Sequence, residues 1–276
     1  MSDNGAARAL LAAVRREGLD TVDGAFAFAG GEELSKPGLG RRRRTRLRLA
    51  DETGRQHVLY LKRYGPERVV SALRRWLTTG RRCSAARLEY MNIRRARAAG
   101  VATMREIGCG EEPCPLGAKR SYLLVTAVPG EAMERCVEGF LHAHHADGQA
   151  DTLTRNLARL VRTLHDSGHV HRDLYASHVF LDDSAGRCEL YLIDLARMFA
   201  PRWRRFRWFV KDLAQLKYSM PAAWVAEYWA LFLAEYFPGV APAVRRLFDR
   251  AVDRKVVSMR RRAERRRRAR QEADLA

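Results

Sequence analysis

The stretch HRDLYASHVFL, which spans residues 171–181, constrains the fold of this chain more than any other. The segment before it carries its apolar residues on one helical face, namely Leu153, Leu157, Leu160, Val161 and Leu164. Gly168 is expected to end that helix, because glycine is common just past a helix C-terminus. The apolar run VFL then predicts a short buried strand. A helix, a polar loop and a strand follow one another, and the loop presents His171, Arg172 and Asp173 together.

The order of charged residues around this loop is typical of phosphoryl transfer. HRDL opens the catalytic loop of protein kinases, whose Asp accepts or orients the proton of the attacking hydroxyl. We assign that role to Asp173. Asp194 ends the next short strand, LYLI, where kinases place an Asp that binds Mg²⁺. Leu195 and Ala196 replace the Phe and Gly that follow it in kinases, so kinase-style switching of that loop is not expected.

The cation that holds the phosphates of ATP is expected earlier in the chain. Lys62 closes the strand LYLK, which corresponds to the VAIK pattern of kinases. Glu89, in the predicted helix SAARLEYMNIRRARAAG, is the expected partner of Lys62, and Glu106 and Glu111 remain alternatives. We therefore predict that Lys62 and Glu89 contribute to an ATP site.

The sequence leaves the phosphate-covering loop undecided. The segment GGEELSKPGLGRRRR contains Gly38 and Gly40 but no GxGxxG pattern. Its backbone amides either cradle phosphate or only turn the chain. The adjacent Arg41–Arg44 either meet a phosphorylated acceptor or form a solvated face.

His178 occupies the position at which the kinase loop carries Asn. That Asn binds the second metal ion. A neutral imidazole can ligate a metal or form a hydrogen bond with Asp173, but Mg²⁺ prefers oxygen ligands. Two interpretations follow: a divergent active kinase, or a pseudokinase scaffold that has lost a metal ligand.

Three segments resemble the lipopolysaccharide core kinase family, the Kdo/WaaP group with its InaA-like members. They are HRDLYASHVFL, LYLIDLARM and RWFVKDLAQLKYS, and the resemblance extends over roughly residues 40 to 220. Members of the family show HRDxYxxHFLL, a strand ending in IDLHR, and a helix with RWxxKDLAxLxxS. The family carries His at the position matched by His178, so the resemblance implies that His at this position is compatible with kinase activity. Ala196 departs from the family's frequent His.

The resemblance implies an α+β, bilobal protein-kinase-like fold with a small antiparallel-sheet N-lobe and a mainly helical C-lobe. It also implies transfer of the γ-phosphate of ATP, with Mg²⁺, to a sugar hydroxyl. The expected acceptor is a heptose or Kdo of the lipopolysaccharide core, or a related lipid-linked glycan. The implied site consists of Lys62 and Glu89 for ATP, Asp173 and again Lys62 for catalysis, and His178 and Asp194 for the metals.

The resemblance also implies a support for the catalytic loop. Asp212, in FVKDLAQL, is expected on a core helix, where it accepts backbone hydrogen bonds from the loop and fixes Asp173. His171 is expected to give the loop structural support.

We expect two lobes and a tail. Residues 1–128 form the N-lobe, with an N-terminal helix, a meander of three strands over AFAFAG, TRLRLA and HVLYLKRY, and the helix that contains Glu89. Residues 129–253 form the C-lobe with the catalytic loop. Residues 254–276 are an Arg-rich tail, either a solvated helix or a disordered segment.

The net charge of +19 indicates an anionic partner or surface. We expect an anionic inner-membrane surface besides the glycan, which places the protein in the cytoplasm, peripheral on the inner face of the cytoplasmic membrane. The sequence shows no secretory signal and no membrane span. Five cysteines without a CxxC pair favour a reducing compartment. Nucleic acid is not the expected partner, although binding through the tail is an alternative, as is an atypical protein kinase.

Overall fold

The computed structural model of the protein describes residues 3–34, 42–67, 69–114, 117–144 and 147–274. The chain divides into two compact units. Unit 1 comprises Met1–Ala98, Thr103–Val128 and Asp194–Ala196. Unit 2 comprises Ala99–Ala102, Pro129–Ile193 and Arg197–Ala276.

Unit 1 is built around an antiparallel sheet. Its strands, in the spatial order β1-β2-β3-β5-β4, are β1 (Glu32–Glu33), β2 (Arg42–Ala50), β3 (Gln56–Tyr64), β4 (Glu106–Cys114) and β5 (Gly117–Thr126). Its helices are α1 (Asp3–Arg16), α2 (Val22–Ala27), α3 (Val69–Thr79) and α4 (Ala85–Ala98). The predicted turn DETG is confirmed, because it joins β2 to β3 in an antiparallel hairpin.

The alternation of residues along β2 decides which face of the sheet is covered. Leu47 and Leu49 are buried, whereas Arg48 between them is exposed. Leu10 and Val14 of α1 belong to the same apolar cluster as these two leucines. Burial of one leucine side chain contributes about 1.5–3 kcal/mol. The cluster therefore holds α1 on the sheet.

The predicted strand over AFAFAG is wrong, because its first part forms the end of α2. Thr21 caps that helix, and its Oγ1 accepts a hydrogen bond of 3.0 Å from the Gly24 amide. A Cβ at Gly24 would lie 2.0 Å from the Gly18 carbonyl oxygen, so the first turn of α2 needs glycine at this position. The amides of the first turn of a helix have no partner within the helix, and the cap provides one. Because alternating Ala and Phe are compatible with either a helix or a strand, the cap favours the helix here.

Unit 2 is mainly helical. Its helices are α5 (Met133–Ala143), α6 (Gln149–Asp166), α7 (Arg205–Ser219), α8 (Ala222–Tyr236) and α9 (Pro242–Asp274). A small antiparallel sheet contains β6 (Glu131–Ala132), β7 (Val179–Asp182) and β8 (Glu189–Leu192). Gly168, at φ +81°, turns the chain out of α6. The segment His171–His178, which we call the HRD loop, then leads into β7.

The Arg-rich segment from Arg254 belongs to the C-terminal part of one long helix, α9. Phe248, Val252 and Val256 are buried, whereas residues 260–272 are exposed. From Arg254 to Asp274 the segment is helical, and from residue 260 to residue 272 that helix is exposed to solvent. Within the described ranges, none of the helices is both long and apolar enough to cross a membrane.

Candidate active site

Lys62 and Glu89 form a buried ion pair in unit 1. Lys62 Nζ lies 2.5 Å from Glu89 Oε1, and the two residues are 9% and 1% exposed. Lys62 is held rigidly because β3 pairs with β2 on one side and with β5 on the other. Glu89 lies on the buried face of α4. An ammonium group that is held on a strand and paired with a buried carboxylate is suited to bind nucleotide phosphates.

The alternative partners of Lys62 are engaged elsewhere. Glu106 forms ion pairs with Arg94 and Arg97. Glu111 forms an ion pair with Arg87. Glu89 is therefore the carboxylate that the structure brings to Lys62.

Tyr64 provides a second donor to Glu89. Its hydroxyl donates a hydrogen bond of 2.9 Å to Glu89 Oε2. Burial raises the pKa of Tyr64 well above its usual value, and the carboxylates of Glu89 and Asp194 act in the same direction. Tyr64 therefore stays protonated, and Asp194 lies close enough to this cluster to act on it.

Asp194 has a backbone conformation that is uncommon outside glycine, with φ at +59°. The next residue is fixed within unit 1, because Asn92 Nδ2 of α4 donates a hydrogen bond of 2.9 Å to the Leu195 carbonyl. A carboxylate suits Mg²⁺, which commonly binds one or two carboxylates and takes its other ligands from phosphates and water. Across the described ranges there is no group of three or more His, Cys, Asp or Glu that could hold a metal.

Asp212 holds the backbone of the HRD loop in unit 2. Its Oδ2 accepts a hydrogen bond of 2.6 Å from the His171 amide, and its Oδ1 accepts one of 2.8 Å from the Arg172 amide. Asp212 is fully buried on α7. Arg172 has φ at +73°, a conformation that costs free energy and persists only where its surroundings enforce it. The two hydrogen bonds to Asp212 supply that constraint.

His165 extends this support to two further helices. Its Nε2 donates to Asp212 Oδ2 at 3.3 Å, and its Nδ1 accepts a hydrogen bond of 2.6 Å from the Tyr236 hydroxyl. The ring proton is assigned to Nε2 because a carboxylate oxygen can only accept a hydrogen bond. Tyr236, His165 and Asp212 thus connect α8, α6 and α7 to the HRD loop. The sequence analysis missed His165 and Tyr236; its one signal was a histidine on the apolar face of the helix before the loop.

His171 and His178 both hold the HRD loop through backbone carbonyls. His171 Nε2 donates to the Ile193 carbonyl at 2.9 Å, and its Nδ1 accepts from the Asp173 amide at 3.3 Å. His178 Nδ1 donates to the Asp173 carbonyl at 2.7 Å. The two rings therefore hold the main chain of Asp173 from both its amide and its carbonyl.

The hydrogen bond of His178 bears on its predicted role as a metal ligand. Its Nδ1 carries the proton, so only Nε2 of the neutral ring offers a lone pair. Nitrogen is a poor ligand for Mg²⁺. The geometry favours a positioning role for His178, and ligation of a metal stays a prediction.

Arg197, which the sequence analysis missed, contacts the side chain of Asp173. Its Nη1 lies 2.9 Å from Oδ1 and 2.9 Å from Oδ2. The Arg197 side chain is 54% exposed and that of Asp173 is 21% exposed, so solvent and ligands reach this pair. The signal in the sequence was the run IDLAR, in which an arginine follows Asp194 by less than one helical turn.

The predicted phosphate-covering loop lies partly outside the described residues. Gly38, Gly40 and Arg41 lie outside the described residues. Arg42–Arg44 begin β2, and Arg43 forms an ion pair of 2.7 Å with Glu33.

Comparisons with known proteins identify relatives of this chain. The model of the Lipopolysaccharide kinase (Kdo/WaaP) family matches residues 39–236. The lipopolysaccharide core heptose(I) kinase WaaP of Pseudomonas aeruginosa is 32% identical over 139 residues, which are 49% of this chain and 52% of the relative. The match thus spans about half the length of this curated relative. A solved structure, WaaP in complex with acyl carrier protein, has a TM-score of 0.65 and 25% identity and covers 88% of this chain and 91% of its own.

The likeness to WaaP confirms the predicted α+β fold, with an antiparallel sheet in the N-terminal part and helices in the C-terminal part. The matched range includes the Lys62–Glu89 pair, the HRD loop, Asp194 and Asp212. This chain belongs to the lipopolysaccharide kinase (Kdo/WaaP) family.

Proposed function

We propose that this protein is an ATP-dependent kinase that phosphorylates a sugar hydroxyl, of heptose or Kdo, in the lipopolysaccharide core or a related lipid-linked glycan. The observation that carries the proposal is the HRD loop, in which Asp173 is held by its main chain and oriented by Arg197. Membership of the Kdo/WaaP family supports a sugar as the acceptor.

The residues of unit 1 would serve ATP. Lys62 neutralises phosphate oxygens, and Glu89 keeps the ammonium group in place through their buried contact. Asp194 would hold Mg²⁺, which when bound neutralises charge on the transferred phosphoryl group. The Tyr64 hydroxyl keeps Glu89 oriented.

The HRD loop would serve the acceptor. The hydroxyl oxygen of the sugar forms a bond to the γ-phosphorus while the bond from that phosphorus to the bridging oxygen breaks, and ADP leaves. Asp173 accepts the proton of the hydroxyl, a role that typically contributes about 10²- to 10⁴-fold to the rate. Arg197 and His178 keep Asp173 in one orientation.

The test is ATP consumption with Mg²⁺ on deacylated lipopolysaccharide core, intact lipopolysaccharide, a generic protein and no acceptor. Asp173→Asn is expected to lower glycan-dependent turnover at least about 100-fold while ATP still binds. Asp51→Asn serves as the matched control, because Asp51 is a buried carboxylate of the β2–β3 turn. Its glycan-dependent turnover is expected to equal that of the wild type.

The same measurement separates the rival functions. Turnover on the generic protein, with none on glycan, would identify an atypical protein kinase. ATP binding without turnover on any acceptor, in both the wild type and Asp173→Asn, would identify a pseudokinase scaffold.

We propose further that the protein works at the anionic inner face of the cytoplasmic membrane. Helix α3 exposes an apolar stripe, and the exposed fractions are 58% for Val69, 75% for Val70, 44% for Leu73, 39% for Trp76 and 71% for Leu77. These positions share one face at the helical period of 3.6 residues. An apolar helical face on a strongly basic protein suits an anionic lipid surface.

Cosedimentation with anionic vesicles at low salt tests this location. The double variant Val70→Glu and Leu77→Glu is expected to pellet several-fold less than the wild type, because each substitution places a charge on the apolar stripe. Leu11→Glu is the control, because Leu11 is also an exposed leucine, on α1, with 42% exposure. Equal pelleting of all three proteins would contradict the proposed location.

We also propose an acyl carrier protein as a partner. The likeness to WaaP, whose solved structure contains that partner, extends over 88% of this chain. The net charge of +19 favours an acidic partner. Size-exclusion chromatography with purified acyl carrier protein tests this proposal, and separate elution at low salt would contradict it.

A further inference from the structure

A groove in unit 2 runs between α7 and the exposed half of α9. It has a volume of about 710 Å³, within the range of small-molecule sites. We call it the α7–α9 groove and define it by Tyr175, Lys211, Gln215, Lys255, Arg262 and Arg266.

The floor of the groove contains a buried acceptor. Gln215 is 3% exposed, and its Oε1 accepts no hydrogen bond from any residue within the described ranges. Buried polar atoms are nearly always paired, and an unpaired one is destabilising. Because Gln215 lines the groove, a rotation of its side chain would let this oxygen accept a hydrogen bond from a hydroxyl group of a ligand.

The wall of the groove is cationic. Arg262 and Arg266 lie one turn apart on α9, and their side chains are exposed. Burial lowers the pKa of Lys255, and the charges of Arg262 and Arg207 lower it further. The positive charges therefore repel one another, and an anion between them would relieve that repulsion. Arginine in particular binds phosphate through two parallel hydrogen bonds.

The groove adjoins the segment that carries Asp173. The Tyr175 amide donates a hydrogen bond of 2.9 Å to the Asp173 carbonyl, and Tyr175 lines the groove. Lys211, which also lines the groove, donates a hydrogen bond from its Nζ to the Arg172 carbonyl. A ligand in the groove would therefore contact the same loop as the hydroxyl that Asp173 is proposed to deprotonate.

We propose that the α7–α9 groove binds the acceptor as a saccharide that already carries phosphate. The arginines of α9 bind the phosphate, and Gln215 Oε1 accepts a sugar hydroxyl. The identification of the saccharide as the acceptor rests on the proposed kinase function. Binding of the saccharide in the groove does not depend on that function. In a reaction sequence, a phosphoryl transfer to the same glycan must then come before the step of this protein.

Binding without ATP tests the groove separately from turnover. Calorimetry would use deacylated, phosphorylated core oligosaccharide and the same oligosaccharide after phosphatase treatment. The double variant Arg262→Gln and Arg266→Gln is expected to weaken binding of the phosphorylated form at least about tenfold, because it removes charge-assisted hydrogen bonds. Phosphatase treatment is expected to weaken binding to the wild type similarly and to remove the difference between wild type and variant.

The double variant Arg260→Gln and Arg268→Gln is the matched control. It removes the same charge from exposed positions of the same helix, outside the groove. Its affinity for the oligosaccharide is expected to stay within about twofold of the wild type. Equal weakening by both double variants would overturn the proposal in favour of unspecific attraction. Weakened binding of anionic vesicles by the groove variant, with unchanged binding of the oligosaccharide, would overturn it in favour of lipid headgroups.

Gln215→Leu tests the hydroxyl contact. This variant is expected to bind the phosphorylated and the phosphatase-treated oligosaccharide less tightly by the same factor, about five- to tenfold. Its Tm is expected to be no lower than that of the wild type, because an unpaired buried acceptor is removed. A folded variant with unchanged affinity would overturn the role of Gln215. Binding that depends on the groove, without turnover on any glycan, would support the groove and contradict the kinase function.

Discussion

Arg197 Nη1 lies 2.9 Å from both carboxylate oxygens of Asp173. One nitrogen thus bridges the two oxygens and fixes the direction of the carboxylate, whose side chain is 21% exposed. The arginine comes from the 3₁₀ turn Leu195–Arg197, directly after Asp194. A single short segment therefore provides both the proposed metal ligand and the residue that orients the proposed base.

Arg197→Ala is expected to lower kcat by about 10- to 100-fold, because a charge-assisted hydrogen bond to the base is lost. The KM for ATP is expected to change little, since Arg197 contacts the carboxylate of Asp173 in the HRD loop. Steady-state kinetics on core oligosaccharide measure both constants. Arg202→Ala, at an exposed arginine five positions further along, is the control. An unchanged kcat in Arg197→Ala would show that the contact has no part in catalysis.

Removal of Glu89 is expected to cost more stability than removal of the Tyr64 hydroxyl. Glu89→Gln leaves the ammonium group of Lys62 buried without a counter-charge, which costs about 3 kcal/mol of unfolding free energy. Tyr64→Phe removes one donor and costs about 1 kcal/mol. Urea unfolding of both variants and of the double variant measures their coupling. Strictly additive losses would contradict the shared hydrogen bond.

Asp212→Asn is expected to lower kcat about 100-fold with little change in the affinity for ATP. An amide offers one acceptor oxygen in place of two, so the amide of His171 or of Arg172 loses its partner. The HRD loop then shifts, and a displacement of about 1 Å can cost this factor. Asp183→Asn in the β7–β8 turn is the control, since Asp183 accepts from the Cys188 amide. Equal kcat in the two variants would contradict the support by Asp212.

The β2–β3 turn is expected to make stability depend on pH in acid. The hydrogen bond from His57, with further bonds from Thr53 and Arg55, holds the pKa of Asp51 well below its usual range. A carboxyl with a lowered pKa in the folded state stabilises the fold above about pH 4, and this contribution is lost as the pH falls through the lowered value. Asp51→Asn lacks it. Urea unfolding from about pH 6 to pH 3 is therefore expected to show the two stabilities converging, and a constant difference would contradict this.

Patterns of neighbouring residues were sufficient for much of this fold. The strand with Lys62, the helix with Glu89 and the turn DETG follow from local periodicity and turn chemistry. The position of Glu89 in the helix after the Lys62 strand led to the expectation that the two meet, and the family resemblance implied that Asp212 accepts hydrogen bonds from the loop amides; the structure contains both contacts. Their roles in the reaction stay predictions.

Local patterns failed where a residue distant in the sequence, or a helix cap, determines the structure. Alternating alanine and phenylalanine favoured a strand over AFAFAG, but the cap by Thr21 makes a helix. His165 and Tyr236 stand 71 residues apart in the sequence, and no local pattern indicates their hydrogen bond. No local pattern indicates that the Gln215 oxygen is buried, because that burial depends on the packing around α7.

The hydrogen bonds from Tyr236 through His165 to Asp212 imply that the HRD loop cannot open by itself. The amide protons of His171 and Arg172 point at a carboxylate that three helices hold, so they are expected to exchange with deuterium only when α6, α7 and α8 separate. Their exchange is then as slow as that of the helical core of unit 2. Thermal inactivation would accordingly coincide with the melting of that core and not precede it.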